Sequence, residues 1–145
     1  MNKIFVELSD VILHAGRERF GAMMGIVSHV HEEAYDVVAA SSVTGIPIVG
    51  DTYKLDAVYC REVIQKKHTV AIAEIDGVQG MCLHPLYDEI PFEFYISAPI
   101  VVSGEIWGTL NFTSLAKRDA PFTPDDIRFI EAQAQRLGEQ LEMPG

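Results

Sequence analysis

Three features are scarce in this chain: cysteine, positive charge and long apolar runs. The two cysteines, Cys60 and Cys82, lie 22 positions apart without a CxxC or CxxxC pattern. Neither a disulfide framework nor a zinc cluster is indicated, and reduced thiols in a cytoplasmic protein are expected. Against 21 Asp and Glu there are 11 Lys and Arg, giving a formal charge of −10 that repels nucleic-acid phosphates. The longest apolar stretches fall far short of the roughly 20 residues of a membrane helix, and no signal-peptide pattern opens the chain. The sequence therefore predicts neither nucleic-acid nor membrane partners.

The composition is that of an ordinary globular protein. The chain has 145 residues, of which 48% are hydrophobic and 22% charged. This length is typical of one domain with one core, and no repeat or linker divides it. We therefore expect a single domain over residues 1–145.

Apolar spacing predicts a helix at the start of the chain and two strands after it. The helix rests on apolar residues at intervals of three and four, and Gly16 is expected to end it. These residues are Ile4, Phe5, Leu8, Val11, Ile12 and Ala15. From Phe20 to Ser42, β-branched, Met and Ala residues predict two strands joined by a turn near Glu32.

The middle of the chain gives weaker signals. Residues Leu55 to Lys67 have the spacing of a second helix, and Thr69 to Ile75 resemble a third strand. Asp76 to Pro91 holds two glycines and two prolines and has no sustained period. Long irregular segments of this kind are often lids over binding sites.

The last third carries the clearest local signals. Strands are predicted at Phe92 to Val102 and Glu105 to Ser114, joined by the two-residue turn Ser103-Gly104. Thr123, Pro124 and Asp126 then supply an N-cap, a first-turn proline and a capping-box acid for a final helix. Its apolar seam, which could pack on a sheet or pair with a partner, consists of Ile127, Ile130, Ala134, Leu137 and Leu141.

Strand alternation divides the predicted hairpin into an apolar and a mixed face. The apolar face holds Phe94, Ile96, Ala98, Ile100, Ile106, Gly108, Leu110 and Phe112. The mixed face combines aromatic and hydrogen-bonding groups, as small-molecule pockets do; a half-solvated sheet face would have the same composition. Its candidate ligand-binding residues are Tyr95, Ser97, Trp107, Thr109 and Asn111, with Tyr53, Tyr59, Glu74 and His84 as contributors from the cover.

Several segments together resemble the GAF domain family. They are Phe94 to Ile100, Gly104 to Phe112, Pro121-Phe122-Thr123 with Asp125-Asp126, and Tyr59 to Ile64 followed by Val70 to Asp76. The resemblance implies an α+β fold with a central antiparallel sheet, terminal helices on one face and a covered ligand pocket on the other. It also implies a regulatory domain of a bacterial signalling protein, a homodimer formed through the terminal helices, and an output domain such as a kinase or cyclase.

Other chemistries of the family fit these residues less well. Bilin-binding relatives use a cysteine near the position of Cys82, but this chain has Glu93 where they carry a basic residue and Thr113 where they carry a histidine. Sulfoxide-reducing relatives have a cysteine near Cys60, but their pocket acids are absent here. The cyclic-nucleotide motif Asn-Lys-Phe-Asp is also absent. We therefore expect no covalent cofactor and no enzymatic activity, and the identity of any ligand stays open.

A metal site is weighed separately. His29 and His31 share a strand face, with Glu33 on the same side if the strand continues, which is a possible three-ligand set. Their place beside a predicted turn favours solvent-exposed histidines instead, so no metal is expected.

Two functions follow. The first is a sensory domain that binds a small molecule non-covalently and relays its occupancy through the terminal helices. The second is a ligand-free dimerisation module that uses the seam of the last helix together with the first helix.

Overall fold

The chain folds around one antiparallel sheet flanked by its two terminal helices. The computed structural model describes residues 3–31, 34–43, 49–54, 69–72, 94–114 and 121–142. The elements are α1 (Lys3–Phe20), β1 (Met24–His31), β2 (Ala34–Ser42), β3 (Thr52–Lys54), β4 (Val70–Ile72), β5 (Phe94–Val102), β6 (Glu105–Ser114) and α2 (Pro124–Glu142).

The described strands form a six-stranded sheet in the order β3-β2-β1-β6-β5-β4, and each neighbouring pair is antiparallel. The predicted α+β class is confirmed. So are the predicted pairing of β1 with β2, the β5–β6 hairpin and the final helix. β4 confirms three residues of the strand predicted at Thr69 to Ile75. The predicted helix at Leu55 to Lys67 and the lid-like segment Asp76 to Pro91 lie outside the described residues.

Both helices pack on the same face of the sheet and build the hydrophobic core. From the strands, the core takes Val27, Ala39, Phe94, Ile96, Ala98, Ile100, Leu110 and Phe112. From the helices, it takes Phe5, Ile12, Leu13, Phe20, Ile130, Ala134 and Leu137. Six residues of the predicted apolar face of the β5–β6 hairpin are therefore confirmed beneath the helices: Phe94, Ile96, Ala98, Ile100, Leu110 and Phe112. Ile106, predicted on the same face, pairs with Val101 and is not part of this core. Neither of these two helices is long and apolar enough to cross a membrane.

The prediction that Gly16 ends the first helix is wrong. α1 continues to Phe20, and Gly21 ends it with a φ of 66°. Gly16 is instead required inside the helix by packing, because a Cβ there would lie 2.0 Å from Cζ of Phe112. The absence of a side chain lets the helix rest directly on this ring.

The buried stripe of α1 also differs from the predicted one. Phe5 and Ile12 are buried as expected, but Ile4 and Val11 are 60% and 62% exposed. The helix rotates so that Leu13 faces the sheet together with Gly16. The start of the chain thus has a second apolar stripe that faces outward.

The N-terminus of α2 is closed by the predicted capping box. The Asp126 backbone N–H donates to Thr123 Oγ1 over 3.1 Å, and the Thr123 N–H donates to Asp126 Oδ2 over 2.9 Å. The Arg19 side chain lies 3.3 Å from the same carboxylate and 4.8 Å from the centre of the Phe129 ring. These contacts join the end of α1 to the start of α2.

The seam of α2 packs inside the molecule. Ile130, Ala134 and Leu137 are at most 2% exposed and belong to the core, and Ile127 and Leu141 pack against it half-buried. The sequence left open whether this seam contacts the sheet or a partner. The seam therefore packs on the chain's own sheet, and the homodimer through the terminal helices stays a prediction.

Candidate functional site

The sheet face opposite the helices carries a buried group of uncharged polar side chains. We call it the polar face and define it by Ser28, Tyr35, Tyr95, Ser97, Thr109, Asn111 and Thr113. Each of these residues is between 0% and 4% exposed, although both described helices lie on the other side. Burying so many polar groups in one layer is costly unless each finds a partner.

Three cross-strand rows place these side chains. On β1, β6 and β5 in turn, the rows are Met24, Thr113 and Tyr95; Ile26, Asn111 and Ser97; and Ser28, Thr109 and Pro99. Residues in direct register share a face. Met24 and Ile26 of β1 therefore flank polar groups of β6 in two rows, and Pro99 of β5 flanks Thr109 in the third. The layer thus combines apolar walls with a few hydrogen-bonding groups, as small-molecule sites do.

Two hydrogen-bonded pairs link the strands of the polar face. Ser28 Oγ and Thr109 Oγ1 lie 2.7 Å apart, and the Thr109 backbone N–H donates to the same Ser28 oxygen over 3.2 Å. Asn111 Nδ2 donates to the Tyr35 hydroxyl over 3.1 Å, although β1 lies between their two strands. These buried bonds fix the orientation of the Asn111 amide and the Tyr35 ring.

The Thr113 hydroxyl differs from its neighbours. The residue is 4% exposed, and its Oγ1 has no hydrogen-bond partner within the part of the chain that the structure describes. A buried hydroxyl left unpaired costs about 1–3 kcal/mol. Thr113 is therefore a polar group of this face that is available to a further partner.

Four of the predicted ligand-binding residues come together on this face: Tyr95, Ser97, Thr109 and Asn111. Tyr53 pairs with Tyr35 through the β2–β3 ladder, and its backbone alone is described. Tyr59, Glu74 and His84 lie outside the described residues, as do Cys60 and Cys82.

The assignment of Trp107 to this face is wrong. β6 has a bulge at Trp107, because Ile100 pairs with Gly108 and the next residue, Val101, pairs with Ile106. An extra residue reverses the alternation of side chains. The indole consequently lies on the helix side, with its centre 5.7 Å from the Phe5 ring of α1.

Strand alternation placed Thr113 on the mixed face but not among the candidate ligand-binding residues. Two other members of the polar face, Ser28 and Tyr35, were missed by sequence reasoning. Both lie in the segment interpreted only as a hairpin, whose two faces were not separated. Ser28 follows Met24 and Ile26 at alternate positions, so the period of two was a usable signal. Tyr35 could not be placed in the same way, because a bulge at Val38 shifts the register of β2.

A second cluster lies on the helix side, at the end of β1 and the start of β2. His29 stacks on Trp107 with ring centres 4.2 Å apart, and the His31 ring centre is 4.9 Å from that of His29. His31 Nε2 and Asp36 Oδ2 form a short contact, and Thr52 Oγ1 donates to Asp36 Oδ1 over 2.7 Å. The cluster ties together the ends of three strands.

The electrostatics of this cluster follow from these contacts. Burial lowers the pKa of His29, the neighbouring His31 lowers it further, and Asp36 opposes both. Hydrogen bonds with His31 and Thr52 lower the pKa of the Asp36 carboxyl. Within the described ranges, no three His, Cys, Asp or Glu side chains are arranged to hold a metal ion. Glu33, the third ligand weighed from the sequence, lies outside those ranges.

A groove lies between strand β5 and helix α2. It has a volume of about 230 Å³ and is lined by Pro99 and Val101 of β5 and by Glu131 and Gln135 of α2. Glu131 accepts a hydrogen bond of 2.8 Å from Thr69. The groove is open and includes no residue predicted to bind a ligand.

Comparison with known proteins agrees with this architecture. The model of the GAF domain matches residues 5–141. No curated protein sequence matches the chain. The chain is similar to the solved GAF domain of PixJ from Thermosynechococcus elongatus, in a blue-light absorbing form, with 14% identity and a TM-score of 0.74. That alignment covers 96% of this chain and 88% of the other.

Two further solved structures have the same fold. The GAF domain of a phosphoenolpyruvate-protein phosphotransferase from Coxiella burnetii is 15% identical, with a TM-score of 0.75 and coverage of 92% and 82%. The free methionine-R-sulfoxide reductase of Neisseria meningitidis, solved with its substrate, is 15% identical, with a TM-score of 0.71 and coverage of 97% and 87%. At these identities the likeness concerns the fold. Since the family model spans nearly the whole chain, the protein belongs to the GAF domain family.

Proposed function

We propose that this GAF domain is a sensory module of a cytoplasmic bacterial signalling protein and that it binds a small molecule non-covalently on its polar face. The supporting observation is the contrast between the two sides of one sheet. The core beneath the helices is apolar, whereas the opposite side buries seven uncharged polar side chains. A layer that served only as core would be more stable without them.

The relay runs through strand β6, which contributes to both faces. Asn111 lies on the polar face, while its neighbours Leu110 and Phe112 belong to the core beneath the helices. The Phe112 ring in turn rests against Gly16 of α1. A ligand that shifts β6 therefore changes the packing of α1. The difference between the ligand's affinities for the shifted and unshifted arrangements of β6 determines how far the equilibrium between them moves. An output domain, such as a kinase or cyclase, would respond to the helices.

Mass spectrometry tests the binding site. Wild-type protein, incubated with a low-molecular-weight extract of bacterial cells, is measured under native and then denaturing conditions. We expect an added small mass that is lost on denaturation. Asn111→Leu, combined with Tyr35→Phe to avoid an orphaned hydroxyl, should remove most of it. Trp107→Phe is the matched control, because that ring lies on the other face. Retention that survives the double substitution, or that is lost in the control, would contradict the site.

The same measurement separates the alternatives within the family. A mass that stays attached after denaturation would indicate a covalent chromophore on Cys60 or Cys82, which we do not expect. We also propose that the domain is not an enzyme. Incubation with free methionine sulfoxide under thiol recycling should give no methionine, and measurable turnover would refute this part of the proposal.

A homodimer through the terminal helices is the second candidate, and one observation favours it. α1 carries an outward apolar stripe at intervals of four, three and four: Ile4, Leu8, Val11 and Ala15. Ile4 and Val11 are 60% and 62% exposed. Leu8 is half-buried and also packs against the core, whereas Ala15 is exposed like Ile4 and Val11. The spacing of the stripe suits pairing with a second copy.

Light scattering after size exclusion tests this dimer. We expect a dimer for the wild type and a monomer for Val11→Glu. His14→Glu introduces the same side chain at an exposed position beside the stripe and should remain dimeric. An unchanged mass for Val11→Glu would remove the stripe from any interface.

A further inference from the structure

The chemistry of the polar face restricts what it can bind. Thr113 lies in direct register with Met24 on one side and Tyr95 on the other. Its buried hydroxyl has no partner among the described residues. The other pairs of the face, Ser28 with Thr109 and Asn111 with Tyr35, are already bonded. Thr113 is thus the position at which a ligand would gain a buried hydrogen bond without breaking one.

The described strand positions of the polar face carry no charged side chain, which disfavours charged ligands. The described strand positions on this side hold Ser, Thr, Asn, Tyr, Met, Ile, Val, Ala and Pro, and none holds Asp, Glu, Lys, Arg or His. An ionised group placed against this layer would lose its hydration without gaining an opposite charge from these described strand positions, which costs far more than burying a neutral polar group. The net charge of −10 adds a general repulsion of anions.

The groups beside Thr113 favour a flat partner. Tyr95 and Met24 flank it with an aromatic ring and a thioether, and both are at most 3% exposed. Aromatic rings and methionine sulfur pack well against planar unsaturated groups. A hydroxyl both donates and accepts, and an amide edge offers it both partners.

We infer that the ligand presents an uncharged, planar amide-type edge to the polar face and hydrogen-bonds there to the Thr113 hydroxyl. This inference rests on the proposed function, because it assigns a chemical class to the ligand of that same face. Carboxylates and phosphates that approach the face directly are excluded from the class. The inference concerns the part of the ligand that contacts β5, β6 and β1.

Matched fragments test the inference with the whole chain. Nicotinamide and nicotinate have the same size and ring, but nicotinate carries a full negative charge at pH 7.5; benzamide and benzoate form a second such pair. Each fragment is titrated into the isotopically labelled protein and followed by amide chemical shifts. We expect both amides to bind with dissociation constants about tenfold or more below those of their acids.

Variants at Thr113 assign the hydrogen bond. Thr113→Val keeps the shape of the side chain and removes the hydroxyl. It should weaken binding of the two amides by roughly five- to tenfold. Binding of the acids should be unchanged. Thr113→Ser retains the hydroxyl and should restore most of the amide binding. Melting curves of both variants verify that the fold is intact, and removal of an unpaired hydroxyl should not lower the melting temperature.

The outcomes separate this inference from the proposed function. Three outcomes would each overturn the ligand class. The acids could bind as well as the amides, amide binding could be unaffected by Thr113→Val, or no amide binding could be detected at tens of millimolar. The proposed function stands in those cases if the mass spectrometry detects a molecule that depends on Asn111 and Tyr35. If that dependence also fails, both proposals fall.

Discussion

Replacing Gly16 by Ala tests the closest contact between a helix and the sheet. The added methyl carbon would lie 2.0, 2.5 and 2.6 Å from three ring atoms of Phe112. Carbon atoms pack favourably at about 3.5–4.0 Å, so the ring or the helix must move by more than an ångström. The Phe112 ring is fully buried and also lies 5.4 Å from the centre of the Phe20 ring. It therefore has little room to yield.

The expected loss follows from two opposing effects. At an unhindered helix position, exchanging Gly for Ala stabilises a protein by about 1 kcal/mol. Overpacking a rigid core costs about 1–3 kcal/mol, and a contact this short lies at the upper end. The free energy of unfolding should therefore fall by about 2 kcal/mol. For a domain of this size the melting temperature would drop by roughly 6–8 °C.

Urea denaturation followed by circular dichroism measures this change. Ala15→Gly, at the exposed neighbouring position, reports helix propensity without the ring contact and should cost about 1 kcal/mol. Phe112→Leu provides space, so combining it with Gly16→Ala should cost less than the sum of the two single changes by about 1–2 kcal/mol. Stabilisation by Gly16→Ala, or strict additivity of the pair, would refute the contact.

Four further predictions concern other described contacts. The fluorescence of Trp107, the only tryptophan, should fall as the stacked His29 becomes protonated, because imidazolium quenches indole. Since burial lowers the pKa of His29, the midpoint of this transition should lie below pH 6.5. The His29→Asn variant should abolish the transition. Since His29 takes up its proton more readily in the unfolded chain, stability measured in urea should decline as the pH falls below about 6.5, and a pH-independent stability would argue against this shift. Ser9→Ala removes a fully buried hydroxyl without a partner among the described residues and should raise the unfolding free energy by about 1 kcal/mol; a loss would show that the hydroxyl is bonded. Thr123→Ala should lower it by about 1 kcal/mol by deleting the cap of α2, whereas Thr123→Ser should not.

Elements with local chemical signals could be predicted from the sequence. The Ser103-Gly104 turn needs two residues at positive φ, and the structure has 53° and 82° there. Thr123 and Asp126 announce the start of α2 through their own hydrogen bonds. In each case the cause of the structure lies within four residues of the feature. The length of α1 could not be predicted in this way, because the need for glycine at position 16 comes from packing against Phe112, which lies 96 positions away in the sequence.

The candidate site could be predicted only where it depends on regular local pairing of the strands. Strict alternation placed Tyr95, Ser97, Thr109 and Asn111 on one face correctly, because β5 and β6 pair regularly over those positions. It failed at Trp107, where one extra residue turns the indole toward α1. A bulge depends on how two strands meet, and the residue types on either strand do not encode it by themselves. The bulge also has a functional consequence: it gives the helix side a stacked contact between Trp107 and His29 and leaves the polar face to small hydroxyl, amide and phenol groups. Straightening β6 by deleting Trp107 should therefore disturb the contact with α1 before it disturbs Asn111 and Thr113.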